Sequence, residues 1–244
     1  MTGVILAAGR SARMNSSAPK VLLSLNGRPI LSYVLKTAKD SKLKRIIIVV
    51  GRDHKKVKTA FANESVEFVR QKKPSGTADA VRTCQRRLAD NEEILIFCGD
   101  TPLLTAGTVR KLVKIHQKKN ADATLLTAVL AKPKGYGRIL RDNQNQIQAI
   151  IEEREAKKQT KKIKEVNAGV YVFRWEKLAP ILKKLKPSKT TGEYYLTDVI
   201  SMMRERGATI ASYITPRPSE MFGVNTLADF NRIKKILNQK SAKK

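Results

Sequence analysis

Short apolar runs rich in β-branched residues recur along the first half of the chain, and each is followed by a segment with helical spacing. The runs are GVILA (3–7), RIIIVVG (45–51), VEFV (66–69) and EILIFCG (93–99). The intervening segments are PILSYVLKTAKD, HKKVKTAFA, TADAVRTCQRRLAD and TAGTVRKLVKIHQKK. Continuous apolar strands that alternate with amphipathic helices predict a parallel sheet with helices on both faces.

The pattern changes in the second half, where a hairpin is predicted. After a strand at ATLLTAVLA (123–131), GRILRDNQNQIQAIIEE (137–153) shows two strands around the turn DNQN. The remaining predicted elements are a strand at EVNAGVYVFR, helices in WEKLAPILKKL and TDVISMMRERG, a strand at ATIASYIT and a terminal amphipathic helix in TLADFNRIKKILNQK. The chain therefore predicts one mixed α/β domain whose hairpin-bearing second half is placed to cover a site.

Length and composition place the protein among globular domains of a reducing compartment. The 244 residues are 41% hydrophobic, which is enough for a substantial core, and they contain no apolar run that predicts a membrane span. The start MTGVILAAG lacks the basic and apolar regions of a signal peptide. Two scattered cysteines, Cys84 and Cys98, do not indicate a disulfide scaffold. We expect a cytoplasmic protein.

The charge balance is strongly basic. Lysine and arginine number 49 against 21 acidic residues, a formal net charge of +28. This balance favours anionic partners, but the positive charges are spread along the chain, and no aromatic residues interleave with them as a base-stacking surface requires. We interpret most of them as solvated surface lysines and expect phosphate binding only locally, without nucleic acid as a partner.

The loop after the first strand is the first candidate site, because ligands in open α/β sheets bind beyond the carboxyl ends of the strands. It reads LAAGRSARMNSSAPK (6–20) and combines small residues with Arg13 and Lys20, with Pro19 restricting the approach to the lysine. Backbone amides and these two cations suit a triphosphate. Neither GxxxxGK[ST] nor GxGxxG is present, and an ordinary strand-to-helix connection would have a similar composition.

LAAG, three residues, RM and then PK is a more specific pattern, which resembles the signature of the sugar-nucleotide pyrophosphorylases. Within that family the chain is similar to the uridyltransferase domains of bacterial N-acetylglucosamine-1-phosphate uridyltransferases. The supporting segments follow in the family's order and cover nearly the whole chain: KVLLSLNGRPIL, Gln71 with SGTADAV, CGDTPLL, GYGRI, IIEE, NAGVYVF, GEYYLTDVI and FGVNT.

This resemblance implies a fold, a domain organisation and a reaction. The fold is a Rossmann-like three-layer nucleotidyltransferase fold with a mixed, mostly parallel central sheet and an appended β-hairpin region. Residues 1–244 form one domain, with a nucleotide-binding part at about 1–130, a sugar-binding part at about 131–226 and a terminal helix at 226–239. The reaction is Mg²⁺-dependent uridylyl transfer from UTP to N-acetylglucosamine-1-phosphate, which yields UDP-N-acetylglucosamine and pyrophosphate for cell-wall sugars.

The resemblance also assigns roles to residues. Catalytic charge neutralisation falls to Arg13 and Lys20, and the metal ligands are Asp100 and Asn225, a small set that suits Mg²⁺. The nucleotide lies against Leu6, Ala7, Ala8, Gly9, Gln71, Gly76 and Thr77, where a glutamine amide offers a uracil edge both a donor and an acceptor. The sugar is held by Gly137, Glu152, Asn167, Glu193 and Tyr195.

Several of these residues have simpler structural interpretations. Thr77 is also suited to cap a helix at 78–89, Asp100 to form a turn, and Asn225 to cap the terminal helix. Without the resemblance, Glu152 and Glu193 would be taken as solvated charges. Both interpretations stay open at this point.

The chain departs from the family pattern in places that affect selectivity. Ser11 and Ala12 replace a usual Gly-Thr pair, Pro74 stands where the family often has glutamine, and Cys98 where it often has an aromatic residue. Two alternatives follow: transfer to a different sugar 1-phosphate or an alcohol phosphate such as methylerythritol phosphate, and a non-catalytic relative that binds nucleotides or RNA. No hexapeptide repeat of the kind that forms a left-handed acetyltransferase β-helix is found, so we expect no acetyltransferase activity and a monomer or weak oligomer.

Overall fold

A computed structural model describes residues 1–9 and 18–241 of the protein, with side chains as far as residue 239. The strands are β1 (Thr2–Ala7), β2 (Ser24–Leu25), β3 (Arg28–Pro29), β4 (Arg45–Val50), β5 (Glu67–Arg70), β6 (Glu93–Cys98), β7 (Ala123–Val129), β8 (Arg138–Arg141), β9 (Ile147–Ile151), β10 (Glu165–Arg174) and β11 (Ile210–Ile214). The helices are α1 (Ile30–Asp40), α2 (His54–Ala60), α3 (Thr77–Arg82), α4 (Ala106–Lys118), α5 (Lys158–Lys161), α6 (Trp175–Lys184), α7 (Asp198–Glu205) and α8 (Leu227–Ser241).

The central sheet is mixed and mostly parallel, as expected. Its strand order is β11-β7-β10-β6-β1-β4-β5, and β6, β1, β4 and β5 run parallel to one another, as do β11 and β7. The exception is β10, which lies antiparallel between β6 and β7. The amino-terminal half of β10 therefore lies at the same sheet edge as the carboxyl end of β6.

Two apolar layers cover the sheet. One face packs against α3, α6 and α7, where Trp175 is one of the largest fully buried side chains. The other face packs against α1, α2 and α4. A third, smaller cluster joins Leu25, Leu103 and Val224 to Ile233 of α8. Since Leu103 and Val224 flank the predicted metal ligands in sequence, α8 supports the loops that carry them.

The predicted hairpin is present and belongs to the main sheet. Strands β8 and β9 pair around residues 142–146, and β8 joins β10 through the pair Val166 and Arg138. The sugar-binding and nucleotide-binding parts thus share one sheet. Elements that the sequence pattern did not predict are the two-residue pair β2–β3 and the single-turn helix α5.

The helix predicted at 78–89 is wrong in its extent. Helix α3 begins at Thr77 and ends at Arg82, and only a short 3₁₀ turn follows at Gln85–Arg87. The Thr83 hydroxyl donates to the Ala80 carbonyl at 2.6 Å, and Cys84 N–H bonds to Val81 rather than one residue further back. A hydroxyl that competes for helix carbonyls in this way favours a helix end.

Among the described residues, none of the helices is long and apolar enough to cross a bilayer.

Candidate active site

The carboxyl ends of β1, β4 and β6 form the floor of the candidate site, and small residues allow their loops to touch. Gly99 N–H donates to the Leu6 carbonyl at 2.9 Å. A Cβ on Gly51 would lie 2.6 Å from the Ala8 carbonyl oxygen, and one on Gly99 would lie 2.9 Å from that of Leu6. Backbone contacts this close require glycine at both positions.

The first residues after β1 become more exposed beyond this floor. Ala7 is buried, Ala8 is half-buried, and Gly9 is exposed, with no atom of the described residues within 4 Å of the position that a Cβ would take. Ala8 and Gly9 thus present backbone at the edge where a ligand would approach. The catalytic prediction Arg13, together with Ser11 and Ala12, lies outside the described residues.

Lys20 joins the two predicted metal ligands. Its ammonium Nζ lies 2.5 Å from Oδ2 of Asp100 and 3.0 Å from Oδ1 of Asn225, although Asn225 is 205 residues away in the chain. The Lys20 and Asp100 side chains are only 13% and 19% exposed, which limits the screening of this ion pair by water. Two oxygens of different segments therefore converge on one positive charge.

Asp100 does lie in a turn, as its simpler interpretation predicts, whereas Asn225 does not cap the terminal helix. Thr226, rather than Asn225, caps the start of α8. Its hydroxyl accepts from Asp229 N–H at 3.1 Å, and the Asp229 carboxylate accepts from Thr226 N–H at 2.8 Å. This is a reciprocal capping box, so the prediction of Asn225 as the cap is wrong. The Asp100 backbone carbonyl accepts from Val224 N–H at 2.9 Å, which fastens the two ligand loops together.

The Gln71 side chain is fixed by hydrogen bonds to the loop that follows it and to helix α3. Its amide Nε2 donates to the Gly76 carbonyl at 3.1 Å and to Oδ2 of Asp79 at 2.9 Å. Both amide hydrogens are used in these bonds, so only Oε1 is left to recognise a ligand. The expectation that Gln71 offers a base both a donor and an acceptor therefore reduces to an acceptor.

Gly76 and Thr77 bind the segment that contains the predicted sugar contacts. Gly76 has φ +118°, and a Cβ there would lie 2.4 Å from the carbonyl oxygen of Tyr194. The Tyr194 N–H donates to the Ser75 backbone carbonyl at 2.7 Å, and the Tyr194 carbonyl accepts from Ala78 N–H at 2.9 Å. The nucleotide and sugar loops are thus joined through backbone hydrogen bonds.

The prediction of Thr77 as a helix cap is wrong. Gly76 holds the N-cap position of α3, and the Thr77 hydroxyl accepts instead from Leu196 N–H at 2.9 Å. This contact was not foreseeable from local sequence, because its partner lies 119 residues further along.

Gly137, Glu152 and Asn167 meet on the far side of Cys98. A Cβ on Gly137 would lie 3.6 Å from Oε1 of Glu152 and 3.7 Å from Cβ of Asn167, and Asn167 N–H donates to the Gly137 carbonyl at 2.9 Å. Oε1 of Glu152 accepts from the Thr197 hydroxyl at 2.9 Å. The structure therefore brings together three of the five predicted sugar contacts and adds Thr197, which lies in the GEYYLTD motif but was not singled out.

A bulge in β10 shapes this side of the site. The pairing with β7 shifts between Asn167 and Tyr171, and Gly169 has φ +71°. Asn167 spans the bulge, because its Oδ1 accepts from Gly169 N–H at 3.1 Å and its Nδ2 donates to the Tyr171 hydroxyl at 2.6 Å. A Cβ on Gly169 would lie 2.6 Å from Sγ of Cys98.

Cys98 lies between the two halves of the site and stays protonated. Surrounding protein atoms remove water from the thiol and raise its pKa to about 12, and the charges of Asp100, Lys20 and Glu152 also act on it. A thiol with that pKa is no nucleophile at neutral pH. Its side chain lies at the end of β6, beside Gly169 of β10.

The electrostatic surroundings of the sugar side are acidic despite the basic chain. Burial raises the pKa of Glu152, and the nearby Glu155 and Glu193 raise it further against the Thr197 hydrogen bond. Burial raises the pKa of Asp198 to about 6, with Glu155 and Glu152 adding to the effect.

The other two predicted sugar contacts lie in the loop before α7. Glu193 is exposed, and the Tyr195 hydroxyl bonds to that of Thr191 at 2.8 Å. Burial raises the pKa of Tyr195, and the charge of Glu193 adds to it. The backbone bonds of Tyr194 to residues 75–78 hold this loop against the nucleotide side, with Glu193 and Tyr195 at its rim.

Comparison with known proteins fits this geometry. The family model for the MobA-like NTP transferase domain matches residues 3–166. The chain belongs to the MobA-like NTP transferase family. It is a nucleotidyltransferase.

Curated relatives show which proteins of known name the chain is similar to. It is 36% identical over 242 residues to the bifunctional protein GlmU of Bacillus subtilis, which covers 99% of this chain and 53% of the relative. It is 40% identical over 223 residues to the bifunctional protein GlmU of Shouchella clausii, covering 91% of this chain and 49% of the relative. The chain thus spans about half the length of these relatives. These likenesses support nucleotidyl transfer to a sugar 1-phosphate.

A solved structure shares the fold. A UDP-glucose pyrophosphorylase complexed with UDP-glucose superposes with a TM-score of 0.80 at 17% identity, over 98% of both chains. Nucleotidyltransferases of this kind generally need a divalent metal.

Proposed function

We propose that the protein transfers a uridylyl group from UTP to N-acetylglucosamine-1-phosphate with Mg²⁺, releasing pyrophosphate. The observation that carries the proposal is the convergence of Lys20, Asp100 and Asn225 at the sheet edge where β1 and β6 end. Gly137, Glu152 and Asn167 lie across Cys98 from this cluster. Two groups of candidate substrate contacts that meet at the half-buried Cys98 suit a reaction joining a nucleotide to a sugar phosphate.

The nucleotide is bound on the side of β1 and β5. Backbone amides of Ala8 and Gly9, with Arg13 and Lys20, provide positive partners for phosphate oxygens. Leu6 and Ala7 line the approach, and Oε1 of Gln71 accepts from the N–H of uracil. Hydrogen bonds to Tyr194 and Leu196 fix the segment of Gly76 and Thr77, which packs against the base.

The residues present fit a magnesium ion. Asp100 and Asn225 offer carboxylate and amide oxygens, the hard donors that Mg²⁺ prefers, and few protein ligands suffice because phosphate and water complete its shell. Both oxygens already lie within 3.0 Å of one cation, the Lys20 ammonium. Bound there, Mg²⁺ would neutralise phosphate charge, and Lys20 would turn its ammonium towards the phosphates.

The chain's own residues mainly position the reactants. An oxygen of the sugar phosphate attacks the α-phosphorus of UTP, one P–O bond forms, and the bond to the pyrophosphate leaving group breaks. Lys20 and Arg13 stabilise the charge that develops on the transferred group. Glu152 and Asn167 orient the sugar, and Glu152 accepts a hydrogen bond from a sugar hydroxyl or amide. Glu193 and Tyr195 lie beside the acyl group of the sugar.

The test is pyrophosphate release from UTP with Mg²⁺ across a panel of sugar 1-phosphates, repeated on the best sugar with CTP, ATP, GTP and dTTP. A preference for UTP with N-acetylglucosamine-1-phosphate supports the proposal. Preference for another pair would assign a different substrate to the same nucleotidyl-transfer site. Absence of turnover with every pair would refute the catalytic proposal and favour a nucleotide-binding role.

The wider expectations belong to the same proposal. We propose a cytoplasmic protein with a nucleotide-binding part at 1–130 and a sugar-binding part at 131–226, acting as a monomer or weak oligomer. RNA binding with a steep salt dependence would instead show that the +28 charge serves a polyanionic partner.

A further inference from the structure

Glu220 is a buried carboxylate that the proposed reaction leaves without a role. It lies in a short 3₁₀ turn at Pro218–Met221 and is 1% exposed. Its oxygens accept from the hydroxyls of Thr105 at 2.8 Å, Thr108 at 2.6 Å and Thr215 at 3.2 Å. A carboxylate removed from water is costly unless it is well bonded, so three converging donors mark a built arrangement.

These bonds fasten together the two loops that carry the predicted metal ligands. Thr105 ends the loop that starts at Asp100 and caps α4, accepting from Thr108 N–H at 3.4 Å. Glu220 begins the segment that leads to Asn225. The loops are thus joined at the far end by Glu220 with Thr105, and at the ligand end by Val224 N–H to the Asp100 carbonyl.

The contact between the loops leaves little freedom near the ligands. A Cβ on Gly223 would lie 3.4 Å from both carboxylate oxygens of Asp100 and 3.5 Å from Nδ2 of Asn225. Movement of the Glu220 segment relative to α4 would therefore change the distance between the Asp100 and Asn225 oxygens directly.

We propose that Glu220 is a positioning residue that, through Thr105 and Thr108, holds Asp100 and Asn225 at the spacing a divalent cation requires. The proposal rests on the proposed function, because it assumes that these two residues bind the metal. It assigns no contact between Glu220 and the substrates.

The test separates metal binding from nucleotide binding. Calorimetry measures the affinity for a UTP analogue with a non-cleavable α,β bridge, with and without Mg²⁺, in wild type, Glu220→Gln, Thr105→Val and Thr105→Ser. The glutamine keeps the shape of Glu220 but offers one acceptor oxygen instead of two. Thr105→Val removes one donor isosterically, and Thr105→Ser keeps it as the matched control.

The expected result is a selective loss. Glu220→Gln and Thr105→Val lower the Mg²⁺-dependent gain in affinity by about tenfold, as removal of outer partners of metal ligands commonly does, and leave the metal-free affinity unchanged. Thr105→Ser retains the gain. Glu92→Gln, which alters a carboxylate bonded to Thr2 at the opposite edge of the sheet, leaves both affinities unchanged and controls for lost stability.

Two results would overturn the proposal: an unchanged Mg²⁺-dependent gain in folded Glu220→Gln, or equal losses with and without the metal. The second would assign Glu220 a purely structural role. Failure of the proposed function is recognised separately, because wild type would then not bind the uridine analogue. In that case a Mn²⁺ titration of the same variants, followed by the EPR signal of free Mn²⁺, measures the affinity of the site for a divalent metal without a nucleotide, and equal Mn²⁺ affinity in wild type and Glu220→Gln would overturn the proposal.

Discussion

Replacing Asp198 by asparagine should stabilise the protein at neutral pH. Asp198 opens α7, where burial raises its pKa to about 6 from an ordinary value of 3.8, with Glu155 and Glu152 adding to the shift. A carboxyl group whose pKa is higher in the folded state favours the folded state only while it is protonated. The cost of ionisation is absent below pH 3.8, grows between pH 3.8 and 6, and is fully present above pH 6.

The magnitude follows from the size of this shift. A pKa difference of roughly two units corresponds to about 3 kcal/mol. Asp198 is only partly buried, so screening by water reduces this value. We therefore expect Asp198→Asn to raise the free energy of unfolding by about 2 kcal/mol at pH 8 and by almost nothing at pH 4.

Urea denaturation of wild type and Asp198→Asn between pH 4 and 8 measures this directly. Repeating the pair in a Glu155→Gln background should reduce the gain, because one of the repelling charges is then absent. A gain that does not vary with pH, or a loss of stability at pH 8, would refute the interpretation that Asp198 is held ionised at a cost.

Three further substitutions test the site. Asp100→Ala should abolish metal-dependent turnover while the thermal midpoint stays near that of wild type, and near-normal activity at ordinary Mg²⁺ would rule out Asp100 as a ligand. Lys20→Ala should lower kcat by about 10²–10³-fold, since loss of a charge-stabilising contact can cost about 2.7–4 kcal/mol, and a small effect in steady-state kinetics would place Lys20 at the periphery. Gly76→Ala, which would put a Cβ 2.4 Å from the Tyr194 carbonyl, should raise KM for both substrates because the joined loops separate; an unchanged KM for the sugar phosphate would contradict that coupling.

The individual helices and strands of this fold are largely predictable from sequence, whereas the pairing and hydrogen bonds between distant segments are not. Apolar runs and helical spacing locate β1, β4, β6, α1 and α4 to within one or two residues. The same periodicity cannot say that β10 inserts antiparallel between β6 and β7, because an apolar strand buried on both faces reads alike in either direction. Pairing of this kind is decided by the packing of the whole sheet.

The candidate site divides in the same way. Motif order, through the resemblance, placed Asp100, Asn225 and Lys20 in one site, and the structure brings them within hydrogen-bonding distance. The hydrogen-bond partners of Thr77 and Gln71 differ from the expected ones. A threonine at the start of a helix usually caps that helix, and a glutamine amide near a binding site is usually available to a ligand. Leu196 and Asp79 occupy those groups instead.

The reversed strand explains how one sheet edge can serve two substrates. Parallel strands β1 and β6 bring their carboxyl ends to this edge, with Ala8 and Asp100 just beyond them. Because β10 runs the other way, its amino-terminal half lies at the same edge and places the Asn167 bulge against Cys98. The hairpin β8–β9 joins β10 at Val166 and so adds Gly137 and Glu152 beside Asn167. A wholly parallel sheet would place the start of the neighbouring strand at the opposite edge, so the antiparallel insertion is what brings the residues proposed to bind the sugar to the same edge as those proposed to bind the nucleotide.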